Sequence, residues 1–251
     1  MKILISNDDG VSAPGIMALN EALSEFAETT IVAPDRNRSG ASSSLTLENP
    51  IRIKAVSERV HAITGTPADC ILMARQLFFK DQLPDLVVCG INMGANMGDD
   101  VIYSGTVAGA IEGCFLGVPA IALSLVNPRK EYMQSAAKIA AEIVKKDIVK
   151  QLSKNQILNV NIPDRPYEEI EGFMVTQQGH RHRDNAVLTD ADPRGRPVYW
   201  IGPVHPGNSE VTGTDFQAID SGYVSITPLS VDLTAYKVQA QLNNAIQELQ
   251  L

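Results

Sequence analysis

The feature that most constrains the fold is an alternation of short apolar runs with stretches of helical periodicity, from Lys2 to about Ser124. The apolar runs have the length and the composition of buried strands. We predict four strands, at Lys2–Ser6, Thr30–Ala33, Leu86–Cys89 and Ala120–Ser124. Strands that alternate with helices in this way are typical of βαβ units around a parallel sheet. The predicted fold class is therefore α/β, with a doubly wound, mostly parallel sheet.

The segments between the strands predict helices. Apolar residues recur at helical spacing from Ile16 to Phe26. A second helix is predicted to begin at Thr66, a candidate N-cap that is followed by a proline in the first turn. Two more helices are predicted at about Gly105–Leu116 and Met133–Lys146. Glycines spaced four residues apart favour close packing of the first of these two on the sheet. They are Gly105, Gly109 and Gly113.

The character of the chain changes after a further predicted strand at Ile157–Ile162. From Gly179 to Gly213, Gly, Pro, Arg, His and Asp accumulate and helical periodicity disappears. Strand-like runs return at Val198–Ile201 and Gly222–Thr227, and the segment Asp232–Leu251 predicts a final helix. We therefore expect a catalytic core at residues 1–165 and a β-rich C-terminal extension at residues 166–251 that acts in oligomerisation.

Charge and composition narrow the classes of function. The chain has 251 residues, a net charge of −8 and a pI of about 5.0, whereas proteins that bind nucleic-acid polymers carry a basic surface. No apolar run approaches the length of a signal peptide or a membrane span. The three cysteines are widely spaced among apolar residues, which fits buried thiols in a reducing compartment. We expect a cytoplasmic protein with no membrane or nucleic-acid partner.

Neither the cysteines nor the histidines have the spacing of a zinc site, and we predict none. These residues are Cys70, Cys89, Cys114, His61, His180, His182 and His205.

Three long polar loops follow predicted strands, where open α/β sheets bind their ligands. The first contains Asn7-Asp8-Asp9-Gly10, which fits either a simple turn or a cation site. A helix rather than a strand follows it, which argues against a tight hairpin. Asp8 and Asp9 can share one ion only where the backbone curls, as Gly10 permits. Two carboxylates with nearby hydroxyl and amide oxygens suit Mg²⁺ or Mn²⁺.

The other two loops carry groups that suit a phosphate. In the second loop, Arg36 and Arg38 are phosphate-type forks and Ser39 is an oxygen donor, although a solvated surface loop fits the same residues. The third loop runs from Gly90 into a helix whose candidate N-cap is Ser104. A helix start presents unpaired N–H groups to an anion. The loop matches neither the dinucleotide pattern nor the Walker pattern.

With these loops assembled, the sequence resembles the SurE family (survival protein E), which are divalent-metal-dependent 5′-nucleotidases. The resemblance extends over essentially the whole chain. It rests on the segments Asn7–Gly10, Ala33–Ser42, Gly65–Cys70, Gly90–Gly98, Tyr103–Val107, Asn159–Pro163 and Gly222–Leu229.

The resemblance implies a Rossmann-like domain and one divalent metal ion per subunit, bound by Asp8, Asp9, Ser39 and Asn92. It also implies that the C-terminal part exchanges elements between subunits of a homodimer or homotetramer. The family hydrolyses nucleoside 5′-monophosphates and often 3′-monophosphates, and some members shorten polyphosphate.

Our leading hypothesis is a phosphomonoesterase in which Asp8 and Asp9 are the catalytic residues and hold the ion. The phosphate would be bound by Asn96, Ser104, Gly105 and Thr106. Attack by water and attack by Asp8 as a nucleophile both remain open. Two rivals are a nucleotide or phosphate sensor that does not hydrolyse its ligand and a dinucleotide-dependent oxidoreductase, which the missing G-x-G-x-x-G pattern argues against.

Overall fold

A nine-stranded sheet forms the centre of the molecule. The computed structural model describes residues 1–127, 130–181, 187–202 and 206–246. The strands of the main sheet are β1 (Lys2–Ser6), β2 (Glu28–Pro34), β3 (Ile53–Ser57), β4 (Val60–Ile63), β5 (Leu86–Met93), β6 (Ala120–Leu125), β7 (Gln156–Ile162), β8 (Gly172–Val175) and β11 (Tyr223–Ser230). A separate two-stranded sheet contains β9 (Val187–Ala191) and β10 (Pro197–Ile201).

The main sheet is mostly parallel, as predicted. Its strand order is β3-β4-β2-β1-β5-β6-β7-β11-β8. Strands β4, β2, β1, β5, β6 and β7 are parallel neighbours, whereas β3 pairs antiparallel with β4 and β11 pairs antiparallel with β7. The chain moves outward from β1 in one direction through β2 and in the other through β5. The carboxyl ends of β1 and β5 therefore flank the position at which such folds bind ligands.

Helices cover both faces of this sheet, which confirms the doubly wound architecture. The helices are α1 (Pro14–Ser24), α2 (Pro67–Leu77), α3 (Gly105–Phe115), α4 (Met133–Lys146), α5 (Asp215–Asp220) and α6 (Tyr236–Ile246). Alternate residues of β1 enter opposite cores, because side chains alternate along a strand. Ile3 and Ile5 pack with the apolar residues of α1 and α4. Leu4 packs with those of α2 and α3.

Most element boundaries agree with the sequence patterns, and the differences have local causes. Helix α4 has the predicted bounds, and α2 begins with a capping box between Thr66 and Asp69. Helix α1 ends at Ser24, so Phe26 lies beyond it and packs against the core from the following turn. The final helix begins at Tyr236 rather than Asp232, and residues 247–251 lie outside the described part of the chain.

The C-terminal extension contributes to two different structures. Strands β8 and β11 belong to the main sheet, whereas β9 and β10 pair only with each other among the described residues. The β9–β10 sheet exposes large apolar side chains, including Trp200 at 62% exposure. The division at residue 165 stays a prediction. No helix in the described ranges is long and apolar enough to cross a membrane.

Candidate metal and phosphate site

The turn after β1 is closed by Asn7. Its Nδ2 donates to the carbonyl oxygen of Gly10 over 3.0 Å, and its Oδ1 accepts from the N–H of Gly10 over 3.1 Å. Gly10 has a φ of 107°, which a residue with a Cβ rarely adopts. The local sequence thus makes a turn, and this turn presents Asp8 and Asp9 beyond the end of β1.

Asp8 is buried where three segments meet. Its Oδ1 accepts a short hydrogen bond from the hydroxyl of Thr106, at the start of α3. Its backbone oxygen accepts from the N–H of Arg38 over 2.7 Å. A Cβ added to Gly105 would lie 2.8 Å from the Cβ of Asp8. The structure therefore brings Asp8, Gly105 and Thr106 into direct contact, with the loop after β2 beside them.

Asp9 connects the same turn to the end of β5. Its Oδ2 accepts from the N–H of Met93 over 3.0 Å, which places Asp9 next to the residue that follows Asn92. The Nδ2 of Asn92 donates to the carbonyl oxygen of Gly94 over 2.9 Å. With the amide nitrogen used inside its own loop, the carbonyl oxygen of Asn92 is the atom suited to a cation.

Ser39 lies in the loop after β2 and is exposed. Its N–H donates to the side chain of Asn37 over 2.8 Å. Ser39 directly follows Arg38, whose N–H donates to Asp8. The second loop is therefore fixed beside the carboxylates. Arg38 is half-buried, and its Nε has no hydrogen-bond partner among the described residues.

Asn96 and Ser104 both lie in the segment between β5 and α3, and Ser104 directly precedes Gly105. The Nδ2 of Asn96 donates to the hydroxyl of Ser124 over 2.8 Å. The hydroxyl of Ser104 accepts from the N–H of Val107 over 3.1 Å and caps α3, as predicted. A hydroxyl can donate while it accepts, so the O–H of Ser104 can still donate to an anion.

The electrostatics favour a bound cation. Burial raises the pKa of Asp8; the hydrogen bond from Thr106 opposes this shift, and the charge of Asp9 adds to it. Burial also raises the pKa of Asp9, against the hydrogen bond from Met93. Two neighbouring carboxylates, one buried and one half-buried, gain from a positive ion between them. Their oxygens, with a serine hydroxyl and an asparagine carbonyl, form a donor set that fits Mg²⁺ or Mn²⁺.

Other metal-binding arrangements are missing from the parts of the chain that the structure describes. In residues 1–127, 130–181, 187–202 and 206–246, no group of three or more His, Cys, Asp or Glu residues could hold a metal ion. His61 stacks on the ring of Phe78, and His180 contacts Asp99 over 3.2 Å. His182 and His205 lie outside the described residues.

Sequence patterns missed two sets of residues beside the site. Asp215 is buried and accepts from the N–H of Gly98 over 2.7 Å, and Gln178 donates to the carbonyl oxygen of Gly98 over 2.9 Å. These contacts attach the extension to the loop after β5. Asn159 and Asn161 contact the backbone of Asn96 from β7. A signal for the second set exists, because two asparagines at alternate positions interrupt an apolar strand.

Comparison with known proteins supports one family. The family model for survival protein SurE matches residues 3–185. The 5′-nucleotidase SurE of Vibrio campbellii is 52% identical over 248 residues, which cover 99% of this chain and 95% of that protein. The 5′-nucleotidase SurE of Vibrio cholerae serotype O1 (El Tor Inaba) is 51% identical over 248 residues, with 99% and 98% coverage.

A solved structure gives the same answer for the fold. The crystal structure of the SurE protein from Aquifex aeolicus superimposes on this chain with a TM-score of 0.87 at 42% sequence identity. The matched region covers 98% of this chain and 100% of the Aquifex aeolicus chain. Family model, sequence and fold agree over almost the whole length, so the chain belongs to the SurE family.

Proposed function

We propose that this chain is a metal-dependent 5′-nucleotidase that hydrolyses nucleoside 5′-monophosphates to nucleoside and phosphate. The observation that carries the proposal is the contact of the buried carboxylate of Asp8 with the N-terminus of α3, with the half-buried carboxylate of Asp9 beside it. The carboxylates suit a cation, and the helix start suits an anion. The names of the relatives support the same activity.

Four residues would hold one divalent ion, Mg²⁺ or Mn²⁺. They are Asp8, Asp9, Ser39 and Asn92. Such an ion, when bound, polarises a phosphoryl oxygen and orients the attacking group. Asp8 and Asp9 supply both of the negative charges in this set, which suits an ion that prefers oxygen ligands.

The phosphate would lie at the start of α3. The first N–H groups of a helix have no partner within the helix, and here they begin at Gly105 and Thr106. The hydroxyl of Ser104 and the amide of Asn96 complete this set of donors. The hydroxyl of Thr106 donates to Asp8, so Thr106 joins the anion side of the site to the cation side.

We propose that water, rather than Asp8, attacks the phosphorus. Asp8 is held by the Thr106 hydroxyl on one side and packs against the backbone of Gly105 on another. In the proposed site the Oδ1 of Asp8 is engaged by Thr106 and the same carboxylate is a metal ligand, which leaves water as the nucleophile. Acid quenching during turnover should therefore recover no phosphorylated Asp8. Recovery of that phosphoenzyme would establish the covalent route instead.

The test of the function is phosphate release from AMP, GMP, CMP and UMP after chelation, with Mn²⁺ or Mg²⁺ restored. We expect release only with the metal and a loss of more than about 100-fold in kcat/KM for Asp8→Asn, because a charged ligand is removed. Asp85→Asn is the matched control, since Asp85 precedes β5 at the opposite end of the sheet and contacts Lys2. Full activity in Asp8→Asn, or nucleotide binding without release, would exclude the proposed enzyme.

The same assay defines the substrate range. We propose nucleoside 3′-monophosphates as further substrates and short polyphosphate as a third class. The net charge of −8 argues against nucleic-acid polymers, which bind basic surfaces, whereas a small anion can be bound locally beside a metal ion.

We propose that the protein is a homodimer or homotetramer and that residues 166–251 take part in the contact. Helix α6 exposes Tyr236, Leu242 and Ile246, and Leu233 before it is 95% exposed. An isolated helix of eleven residues is marginal in water, so a helix with this apolar face gains stability by packing on another chain. Light scattering during gel filtration measures the assembly.

We propose a cytoplasmic location. The buried thiols of Cys70 and Cys89 and the half-buried thiol of Cys114 are unpaired. Burial raises the pKa of all three, and structural thiols of this kind persist in reducing compartments.

A further inference from the structure

We propose that Asn161, assisted by Asn159, is a positioning residue that holds Asn96 in place for the phosphate. This inference rests on the proposed function. Neither residue was singled out by its chemistry in the sequence. What identifies them is a set of hydrogen bonds from the central sheet to the backbone of one residue, Asn96, in the loop after β5.

The side-chain amide of Asn161 pairs with both polar groups of the Asn96 backbone. Its Oδ1 accepts from the N–H of Asn96 over 2.9 Å, and its Nδ2 donates to the carbonyl oxygen of Asn96 over 3.0 Å. The Nδ2 of Asn159 donates to the same carbonyl oxygen over 2.8 Å. Asn159 and Asn161 are fully buried, and Asn96 is 6% exposed. The backbone of Asn96 is therefore fixed by side chains of β7.

The sheet register explains how β7 reaches this loop. Asn92 pairs with Ser124 on β6, Ser124 pairs with Asn161 on β7, and Asn161 pairs with Ser225 on β11. Residues paired across neighbouring strands share a face of the sheet. A row of polar residues thus crosses four strands from the proposed metal ligand Asn92, and Asn96 contacts two members of it.

The opposite face of β7 follows the ordinary apolar pattern. Leu158, Val160 and Ile162 belong to the core cluster that contains α1 and α4. Burying an amide costs free energy unless the amide is hydrogen-bonded. If filling space were the only requirement, apolar residues would therefore serve on the other face as well. The amides of Asn159 and Asn161 direct their bonds to a loop rather than to another strand. This choice of residues fixes the loop.

The remaining capacity of Asn96 points to the phosphate. Its backbone is held by β7, and one N–H of its side-chain amide is used by Ser124. An asparagine amide has two donors, so one N–H remains for a phosphate oxygen. Because both the backbone and the side chain are anchored, this N–H is presented in one orientation, which reduces the entropy lost when phosphate binds.

The test compares Asn161→Asp and Asn161→Ser with Thr227→Val. The aspartate keeps an acceptor for the Asn96 N–H but loses the donor, and the serine is too short for either bond. Thr227 is buried on β11 opposite Asn159, but its hydroxyl contacts Thr176 over 2.7 Å. Calorimetry measures the affinity for Mn²⁺ and then the affinity of the Mn²⁺-loaded protein for inorganic phosphate. Thermal unfolding identifies the variants that remain folded.

We expect the affinity of folded Asn161 variants for phosphate to fall by about tenfold or more, as loss of buried hydrogen bonds implies. Their affinity for Mn²⁺ should stay within about twofold of wild type, since no proposed metal ligand changes. Thr227→Val should retain the wild-type phosphate affinity. The double variant Asn96→Ala with Asn161→Ser should bind phosphate no more weakly than Asn96→Ala alone, because Asn161 acts through Asn96. Additive losses, or an equal loss in Thr227→Val, would overturn the positioning role.

The outcome for Asn161 is separable from that for the nucleotidase. Phosphate release from AMP by wild type, with unchanged phosphate affinity in both Asn161 variants, overturns the positioning role and keeps the enzyme. Loss of phosphate affinity in both variants, with no release by wild type, keeps the positioning role and overturns the hydrolysis.

Discussion

Gly105→Ala should weaken the proposed metal site although Gly105 is not among its proposed ligands. An added Cβ would lie 2.8 Å from the Cβ of Asp8 and 2.9 Å from its Oδ2. Nonbonded carbons need about 3.5 Å, so the carbons would be roughly 0.7 Å too close. The nearest atom of Asp8 is its Cβ, which is attached to the backbone. Rotation of the carboxylate cannot relieve this contact, so helix α3 or the Asn7–Gly10 turn must move.

The size of the effect follows from competing contributions. Overpacking a close contact costs about 1–3 kcal/mol, while alanine is favoured over glycine in a helix by about 0.5–1 kcal/mol. Gly105 is the first residue of α3, where this gain is at its smallest. We therefore expect net destabilisation of about 1–2 kcal/mol. Displacement of Asp8 should reduce Mn²⁺ affinity by about 10- to 100-fold, as loss of a ligand's support does, and kcat by about 100-fold.

Gly109→Ala is the matched control on the same helix. Its added Cβ would lie 2.7 Å from the Sγ of Cys89, a contact as close as the one at Gly105. Cys89 is a buried thiol outside the proposed ligand set. Both variants should therefore lose thermal stability, but Gly109→Ala should keep Mn²⁺ affinity within about threefold of wild type because no ligand is touched.

The assay is calorimetric titration of chelated protein with Mn²⁺, followed by phosphate release from AMP at saturating Mn²⁺. Thermal unfolding of the metal-free proteins measures the packing cost separately. Equal losses of Mn²⁺ affinity in the two variants would mean that general loosening of α3 explains them. Wild-type Mn²⁺ affinity in a folded Gly105→Ala protein would refute the proposed link between helix approach and Asp8.

Two further predictions concern Thr106 and His61. Thr106→Val removes the hydroxyl that donates to Asp8 while keeping the shape of the side chain. The Mn²⁺ affinity measured by calorimetry should therefore fall about tenfold, whereas Thr106→Ser should keep the wild-type affinity. Equal affinity in wild type, Thr106→Val and Thr106→Ser would contradict the role of this hydrogen bond. Burial beside Phe78 lowers the pKa of His61, so the folded state binds this proton less readily than the unfolded state, whose pKa is about 6.5. The contribution of neutral His61 to stability is present above about pH 6.5 and is lost as pH falls through the lower folded pKa. Urea unfolding from about pH 7.5 to 5 should show the free energy of unfolding falling with pH, and His61→Phe should reduce this dependence. An unchanged pH dependence in His61→Phe would exclude His61 as its source.

Local patterns predicted six of the nine strands of the main sheet and the turn at its centre, because these features depend on neighbouring residues. Apolar or alternating runs gave β1, β2, β5, β6, β7 and β11, and proline after an N-cap gave α2. At Asn7–Gly10 the two competing interpretations are compatible. Asn7 and Gly10 form the hydrogen-bonded turn, and this turn leaves Asp8 and Asp9 to face the other loops.

The unpredicted parts depend on contacts between distant residues. Strands β3, β4 and β8 were not predicted; the side chains of β3 are largely exposed and lack an apolar face. The contact of Asn161 with Asn96 joins residues 65 positions apart, and that of Asp215 with Gly98 joins residues 117 positions apart. Periodicity describes each element separately, so it could not indicate which polar side chain of β7 or α5 meets the loop after β5.

The glycines of α3 show why a packing role and a site role are not alternatives. Added Cβ atoms on Gly113, Gly109 and Gly105 would meet Val87, Cys89 and Asp8 in turn, each within 2.8 Å. The three glycines thus let one helix approach β5 and the turn after β1 along its whole length. The first of them sets the distance between the proposed anion-binding end of α3 and the carboxylates. A spacing that indicates only close packing in the sequence therefore also fixes how near the proposed phosphate and metal sites can lie to each other.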